Sequence, residues 1–434
     1  MTEPPADGRC DDSGAPAAGI LLVAIDRLPC WMLPTHGCRW VTAPALVRLA
    51  SRGMTFDRVI LTGDAPEQTL ADLCGGAGGA ADWPLVRAAA VRGWSPLLVT
   101  DADPGPTLGD HAGSAGMGLT VLRVPPTARR TPPDHESDTA LFRLCHAAGE
   151  ALATGAHRLV ILHVTSLGRV WDAPPAFRDA YSEPDDPAAY AGLVVPELEV
   201  TDATDPDELV AVRHAFAGQI TLLDRCLERL LERLPQDGAT GMVPGWSVLV
   251  TGLRGLPLGL HGHVGPGPFA AFGELVHVPA ILVDPAGRMA AQRWGGLVTP
   301  ADLGATLLEH AGALPARVDR AEAGLVEAHA SAPWHGASLG GLFEAWRSRT
   351  RDRVIARVAT GSAVATPAWH AVARCDPDAA EGTGAIRLYA KPDDYFELND
   401  VASRCAIQAE RLAAVLAAAT AGDWHRAWTM PLDG

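Results

Sequence analysis

The amino-acid sequence predicts an α/β fold: a mostly parallel sheet covered by helices on both faces, followed by a small antiparallel sheet with a helix. Two observations predict the larger unit. Apolar runs such as residues 20–25 are typical of strands that are buried on both faces, and such runs alternate with helical patterns as far as residue 311. A third observation predicts the smaller unit, because three short strand patterns follow one another beyond residue 350.

The first elements of the chain establish the pattern. Residues 20–25 end in Asp26, and an aspartate is costly to bury unless it binds a cation or accepts hydrogen bonds. A helix is predicted over 43–52, because apolar residues recur on one face and Gly53 is a stop signal, and a strand is predicted over 55–61. In open parallel sheets, ligands bind beyond the carboxyl ends of the strands, so Asp26 stands where a site is expected.

The remaining elements follow from the same periodicities and from helix caps. Ser137 is predicted to cap one helix and Asp205 the longest one, in which Pro206 takes the first helical position. A loop rich in Pro, Asp and Tyr over 165–203 interrupts the alternation, and loops of that length tend to be functional or mobile. Helices are predicted over 83–91, 137–154, 205–234, 299–311 and 402–420, and strands over 95–100, 119–124, 157–164, 247–251, 276–283, 354–358, 369–373 and 386–390.

The domain boundaries follow from composition. Residues 1–18 are polar and rich in Pro and Gly, which predicts a disordered tail. Residues 19–345 are predicted to form the α/β domain. The alternation of strands and helices breaks down between 314 and 350, so residues 346–434 are predicted to form the carboxy-terminal subdomain.

The charge balance excludes some classes of partner. The chain has 434 residues, 51 of them acidic and 35 basic, and its net charge of −16 argues against nucleic acid and anionic membranes. No apolar run reaches the roughly 20 residues of a membrane span, and residues 1–19 lack the apolar segment of a secretory signal. Eight cysteines without paired spacing indicate reduced thiols, so a cytoplasmic location is expected.

Four segments are similar to segments of a known family. VTAPALVRLASRGMTF at 41–56 is similar to the helix that follows the first strand of sulfatases, and LGLHGHVGPG at 258–267 to a later loop. AFAGQITLLDRCLERLLERL at 215–234 and RLYAKPDDYFELNDVA at 387–402 are similar to a long helix and to a carboxy-terminal segment. The chain thus resembles the sulfatase family of the alkaline phosphatase superfamily over nearly its whole length. The resemblance implies an alkaline-phosphatase-like sheet with a carboxy-terminal subdomain packed on it.

The resemblance also implies a site for a divalent cation, usually Ca²⁺, held by carboxylate and amide oxygens. Asp26 matches the first metal aspartate of the family. Arg27 takes the place of a second aspartate, Leu253 that of a third, and Arg254 that of a His or Asn ligand. One carboxylate and two guanidinium groups cannot form an oxygen cage, so no cofactor is expected, with Ca²⁺ as the ion if the family site is retained. We predict instead that Asp26 pairs with Arg254.

The family's nucleophile comes from a Cys/Ser-x-Pro-x-Arg motif. Counting from the phenylalanine of the first motif, this window falls on residues 66–70, which contain no Cys, Ser or Arg. Thr69 remains as a candidate nucleophile, although it needs an activating base or metal nearby, and His261 remains from the loop at 258–267. These two are the candidates for a catalytic role.

The anion-binding positions of the family are also replaced. Asp101 stands at a lysine position and Asp103 at a histidine position, and both carboxylates would repel a sulfate or phosphate ester. Gly168 stands where the family has another histidine. The degenerate pocket is therefore predicted to contain the following residues: Asp26, Arg27, Asp101, Asp103, Gly168, Leu253, Arg254 and His261.

Other clusters allow two interpretations each. His261, His263 and His277 could bind zinc or belong to a solvated loop. The glycine-rich segment 75–79 could be a phosphate loop or a flexible turn, and it lacks the Lys-Ser/Thr ending of such loops. Trp171 in the long loop could line a binding surface or cover the core.

These observations leave three hypotheses about function. The first is a catalytically degenerate sulfatase-like scaffold that binds an unknown small molecule or protein. The alternative is a divergent but active sulfuric or phosphoric ester hydrolase, which rests on resemblance alone. A third is a subunit of a larger assembly beside an active paralogue.

Overall fold

A computed structural model of the chain describes residues 17–76, 83–103, 118–126, 129–235, 245–313, 336–341, 351–375 and 383–432. The described residues form an eight-stranded sheet in the order β10-β2-β9-β7-β1-β5-β3-β4, a four-stranded sheet β11-β12-β13-β14, and a two-stranded pair β6-β8. The strands are β1 Gly19–Ile25, β2 Met54–Ile60, β3 Leu97–Thr100, β4 Thr120–Arg123, β5 Leu159–Val164, β6 Leu198–Glu199, β7 Trp246–Gly252, β8 His263–Val264, β9 His277–Val283, β10 Gln292–Val298, β11 Val354–Val358, β12 Gly361–Ala365, β13 Trp369–Cys375 and β14 Thr383–Ala390.

The helices lie between these strands and after the last one. They are α1 Pro44–Arg52, α2 Pro66–Leu73, α3 Pro84–Val91, α4 Ala140–Ala153, α5 Pro175–Asp179, α6 Pro206–Leu231, α7 Gly273–Val276, α8 Pro300–His310, α9 Ala406–Thr420 and α10 Trp424–Thr429. None of the described helices is both long and apolar enough to cross a membrane.

The large sheet is mostly parallel, as predicted. Only β9 runs against its neighbours β2 and β7, whereas the other neighbouring pairs are parallel. Successive side chains of a strand point to opposite faces, and in β1 Leu21 and Val23 face the helices α4 and α6, while Ile20 and Leu22 face α2, α3 and α8. Every residue of β1 is buried. The continuous apolar run therefore results from helices on both faces, which confirms the predicted fold class.

The small sheet connects to the large unit through one face. Its four strands are antiparallel. Val354 and Val372 belong to the core on the face of the large sheet that α2, α3 and α8 cover, whereas Ile355 and Leu388 pack against α9. The predicted antiparallel sheet with a closing helix is present, and it packs on the α/β unit.

Several element boundaries differ from the prediction. The cap of α4 is Thr139, whose hydroxyl accepts from the Phe142 amide, and Ser137 lies in a preceding turn of 3₁₀-helix. Asp205 does cap α6, through the Asp207 amide. Strand β4 is half exposed at the sheet edge, although its apolar pattern predicted a buried strand.

Eight of these elements were not predicted: α2, α5, α7, α10, β6, β8, β10 and β12. In the predicted tail, Ala17 and Ala18 already donate backbone hydrogen bonds to His310 and Gly245, while residues 1–16 lie outside the described part. The predicted domain boundary at 345 and most of the glycine-rich segment 75–79 also lie outside it.

One buried carboxyl group of α2 gives a testable pH dependence. Asp72 is buried, its Oδ1 accepts from Gln68 Nε2 at 2.8 Å, and burial raises its pKa to about 7. The folded state therefore holds a proton that the unfolded chain releases above pH 3.8, and this costs stability as the pH rises towards 7. Asp72→Asn should raise the midpoint of thermal unfolding more at pH 8 than at pH 5. An equal shift at both pH values would contradict the burial argument, and Asp103→Asn, at an exposed site, is the control.

Candidate functional site

The candidate site lies at the carboxyl ends of four neighbouring strands of the large sheet. Asp26 follows β1, Asp101 follows β3, Thr165 follows β5, and Arg254 stands two residues beyond β7. This is the edge at which open parallel sheets bind ligands. The strand order, rather than the chain order, brings these four residues together.

The centre of the site is an ion pair. Arg254 Nε donates to Asp26 Oδ1 at 2.7 Å, and a terminal nitrogen of Arg254 donates to Oδ2 at 3.1 Å. The other terminal nitrogen donates to the Asp64 carbonyl at 3.1 Å. Planar, bidentate contact is the strongest geometry between arginine and a carboxylate. The predicted pairing of Asp26 with Arg254 is therefore confirmed.

Arg27 adds a second guanidinium group beside this pair. Its backbone is in the left-handed region, with φ of 63°, and its side chain donates to the carbonyls of Pro266 at 2.5 Å and Gly255 at 3.4 Å. Burial, together with the neighbouring Arg254, lowers the pKa of Arg27 to about 10. Gly168 packs against it, because an added Cβ would lie 2.6 Å from Arg27 Cγ. A histidine at position 168 would collide with Arg27.

The residues present do not fit the divalent cation that the resemblance implies. Both oxygens of Asp26 are bound by Arg254, and Leu253, at the third ligand position, is a fully buried apolar side chain. Calcium takes six to eight oxygen ligands. Two guanidinium groups next to Asp26, the one carboxylate left at the ligand positions that the resemblance implies, would repel a dication.

The two aspartates at anion-binding positions have separate structural partners. Asp101 is buried and accepts from the Thr165 amide at 2.7 Å and from the Ser166 amide at 3.0 Å. Asp103 is exposed and pairs with Arg169 at 2.6 Å. Asp101 thus fixes the turn after β5, and Asp103 forms a surface ion pair outside the pocket.

In the described structure, neither catalytic candidate, Thr69 or His261, hydrogen-bonds to Asp26 or Arg254. Thr69 lies within α2, and its hydroxyl donates to the Ala65 carbonyl at 3.3 Å. His261 Nδ1 bonds to Glu274 Oε2 at 2.9 Å, its Nε2 bonds to the Glu397 carbonyl at 3.1 Å, and its ring stacks on Phe272. His261 therefore connects the α/β unit to the small sheet, and each of its ring nitrogens has a structural partner.

Sequence reasoning missed two members of the pocket. Asp64, whose carbonyl oxygen accepts from Arg254, lies two residues before Pro66, the first residue of α2. Matching Pro66 to the proline of the Cys/Ser-x-Pro-x-Arg motif would move the window to 64–68, two residues earlier than the one chosen from the sequence, and would put Asp64 at the nucleophile position. His163 is buried between β1 and β3, and its Nδ1 bonds to Thr100 Oγ1 at 3.0 Å. Among the described residues its Nε2 has no partner, and burial lowers its pKa. The helix-starting proline was the signal that could have located Asp64.

The open alternatives from the sequence are resolved in part. In the described part of the chain, no three or more His, Cys, Asp or Glu side chains are grouped so that they could hold a metal ion. His277 Nε2 bonds to the Asp57 carbonyl at 2.7 Å, and burial lowers its pKa to about 3. Trp171 is fully buried and packs on Phe216, so it covers the core.

Comparisons with known proteins agree with this architecture. No protein-family model matches the chain, and no curated protein sequence matches it. The phosphonate monoester hydrolase of Agrobacterium radiobacter is 18% identical, covers 95% of this chain and 96% of its own, and has a TM-score of 0.68. A protein solved with its substrate D-glucosamine-2-N,6-O-disulfate is 13% identical, covers 96% and 99%, and has a TM-score of 0.67. A 2-O GAG sulfatase is 15% identical, covers 96% and 95%, and has a TM-score of 0.63.

At sequence identities of 13 to 18%, these likenesses show the fold and not the chemistry of the site. The coverage of both chains includes the small sheet as well as the large one. The chain has the fold of the sulfatases and phosphonate monoester hydrolases of the alkaline phosphatase superfamily, as the sequence motifs predicted.

Proposed function

We propose that this protein is a sulfatase-like scaffold that binds a ligand and does not hydrolyse sulfate or phosphate esters. The observation that carries the proposal is the bidentate contact between Arg254 and Asp26. In the family that the sequence resembles, the equivalent carboxylate would bind a cation that activates the nucleophile and neutralises the ester. Here a guanidinium group neutralises that carboxylate directly.

The other groups of the pocket support the same proposal. An ester hydrolase of this type needs a nucleophile and groups that stabilise the negative charge of the transition state. Asp64 stands at the nucleophile position, and a carboxylate there would repel the anionic ester. Asp101 is held by backbone amides, and Gly168 has no side chain to protonate a leaving group.

The alternative is a divergent ester hydrolase, and its support is the likeness in fold to hydrolases such as the Agrobacterium radiobacter enzyme. A fold hosts many functions, so this likeness is a weaker argument than the contents of the pocket. His163, whose Nε2 has no partner among the described residues and lies near Asp26, is a group that could serve as a base.

One assay separates the two functions. Purified protein is tested against 4-nitrophenyl sulfate, 4-nitrophenyl phosphate and a 4-nitrophenyl phosphonate monoester, with Ca²⁺, Mg²⁺ or Mn²⁺ added. Its metal content is measured by mass spectrometry. We expect no turnover above the buffer rate and no stoichiometric metal, because Arg254 occupies the carboxylate. The phosphonate monoester hydrolase is the positive control.

Metal-dependent turnover that disappears in Asp26→Ala and in His163→Ala would overturn the proposal in favour of the hydrolase. Turnover that survives both substitutions would point to a contaminating enzyme. In that case the activity should disappear when the assay is repeated with protein purified by a second route.

A further inference from the structure

A cleft lies at the junction of the α/β unit and the small sheet. It has a volume of about 950 Å³, with His263 and Phe269 on the wall from the α/β unit and Arg374, Arg387 and Tyr389 on the wall from the small sheet. Asp26 and Arg254 are not among the residues that line it. The cleft is therefore distinct from the pocket at the carboxyl ends of the large sheet.

Two arginines, Arg374 and Arg387, lie on the wall of the cleft that the small sheet forms. Arg374 and Arg387 come from the neighbouring strands β13 and β14, whose register shifts between Ala373 and Cys375. Their guanidinium carbons lie 5.7 and 6.0 Å from the centre of the Phe272 ring. Both cations therefore share one aromatic platform, which holds them close together in spite of their repulsion.

Three carboxylates, Glu199, Glu397 and Asp400, also line the cleft, but within the described part of the chain none of them forms a salt bridge with Arg374 or Arg387. Asp400 Oδ1 accepts from the amides of Leu388 and Ala402, and Glu397 is held by His370 and Lys391. Among the described residues, neither Arg374 nor Arg387 forms a salt bridge, although acidic residues outnumber basic ones by 51 to 35. Arg387 is hydrogen-bonded to Tyr389, and the remaining N–H groups of the two guanidinium groups match an anionic partner.

Further polar groups of the cleft are unpartnered. Among the described residues, His263 Nε2 and Thr360 Oγ1 are buried without a hydrogen-bond partner, and both residues line the cleft. Buried polar atoms are nearly always hydrogen-bonded in folded proteins. Tyr389 adds a hydroxyl group to the same wall, and Phe269, stacked on His263, adds an apolar surface.

We propose that the cleft binds a small molecule that carries a multivalent oxyanion: a phosphate, a sulfate or a dicarboxylate. Two planar guanidinium groups match the paired oxygens of such an anion. His263 and Thr360 would bond to its remaining polar atoms, and Phe269 would pack against its organic part. This inference does not depend on whether the Asp26 pocket hydrolyses esters.

Isothermal titration calorimetry tests it with three probes in low-salt buffer: inorganic phosphate, inorganic sulfate and succinate. We expect at least one to bind with a stoichiometry of one, and the ranking identifies the class of anion. Hydrogen bonds to charged groups are strong, so Arg374→Gln/Arg387→Gln should weaken binding by about tenfold or more. Arg130→Gln removes an exposed arginine elsewhere and should leave the affinity unchanged.

Two results would overturn the inference: no binding of any of the three probes, or equal affinity in wild type and the double variant. Circular dichroism checks that the double variant is folded. If it is not, Arg374→Gln and Arg387→Gln are titrated separately, and unchanged affinity in both again overturns the inference. Turnover of aryl esters bears on the proposed function alone, so the two ideas fail by different measurements.

Discussion

Replacing Asp26 with alanine should lower the free energy of unfolding by about 3 kcal/mol, because it leaves the partly buried Arg254 without its counter-charge. The Asp26 side chain is 7% exposed and that of Arg254 is 23% exposed, so solvent screens the pair only weakly. Removal of the carboxylate also leaves Arg27 and Arg254 facing each other, and Arg254 already lowers the pKa of Arg27. Urea denaturation of wild type and variant at pH 7 measures the loss.

The two partners of the ion pair should differ in how much stability is lost when each is removed, and this difference gives a second test. Arg254→Ala leaves Asp26 with Arg27 as a nearby cation, so we expect a smaller loss than in Asp26→Ala. The double variant Asp26→Ala/Arg254→Ala should lose less than the sum of the single variants, because the two groups interact directly. Asp103→Ala is the matched control, and its exposed pair with Arg169 should contribute no more than about 1 kcal/mol.

The effect of added calcium on stability distinguishes an ion pair at Asp26 from a cation-binding site at Asp26. If Arg254 is the partner of Asp26, wild-type stability should be the same in millimolar calcium and in chelator. A calcium-dependent stability that is lost in Asp26→Ala would show that the carboxylate binds a cation, and the ion pair would then be an incomplete description of the site.

The Asp26–Arg254 pair could be predicted because the sequence indicates where the strands end. Asp26 and Arg254 each follow a continuous apolar run, and the carboxyl ends of parallel strands lie along one edge. The exact members around them were harder to predict. Asp101 and Asp103 are two residues apart, yet one is buried against backbone amides and the other points to solvent. Their different roles depend on the turn after β5, where Thr165 lies 64 residues from Asp101 in the chain.

Three of the elements that escaped prediction, β12, β10 and α2, share a physical cause. Strand β12 has the sequence GSAVA, in which small residues dilute the apolar signal, yet all five residues are buried because α9 and the large unit cover both faces. In β10 only the last two residues are buried. Helix α2 ends just before the Gly-rich segment 75–79, and its burial against α8 comes from tertiary packing. Local pattern alone does not contain these contacts.

The second large effect concerns the attachment of the small sheet. Glu397 is buried, bonds to His370 of β13, lies 3.1 Å from Lys391 Nζ, and accepts from the Gly273 amide of the α/β unit at 2.8 Å. Glu397→Ala leaves His370 and Lys391 buried beside each other and removes the link between the two units. We expect a loss of about 3 kcal/mol, of the size measured when one partner of a buried ion pair is removed.

Hydrogen exchange should localise this loss. Amides of β11–β14 should exchange faster in Glu397→Ala, while those of β1, β5 and β7 should keep their protection, because the large sheet has its own core. Glu410→Ala, at an exposed position of α9, is the matched control and should change stability by no more than about 0.5 kcal/mol. Faster exchange that begins in β1 would show that the two units unfold together and that Glu397 is not their specific link.

The pH dependence gives an independent readout of the same carboxylate. Burial alone would raise the pKa of Glu397, but His370 and Lys391 outweigh it and hold the pKa well below its usual range. A carboxyl group with a depressed folded pKa stabilises the fold above its unfolded pKa of 4.5, and this contribution is lost as the pH falls below that value. The stability difference between wild type and Glu397→Gln should therefore shrink between pH 7 and pH 3. A difference that stays constant over this range would mean that the charge of Glu397 does not hold the small sheet in place.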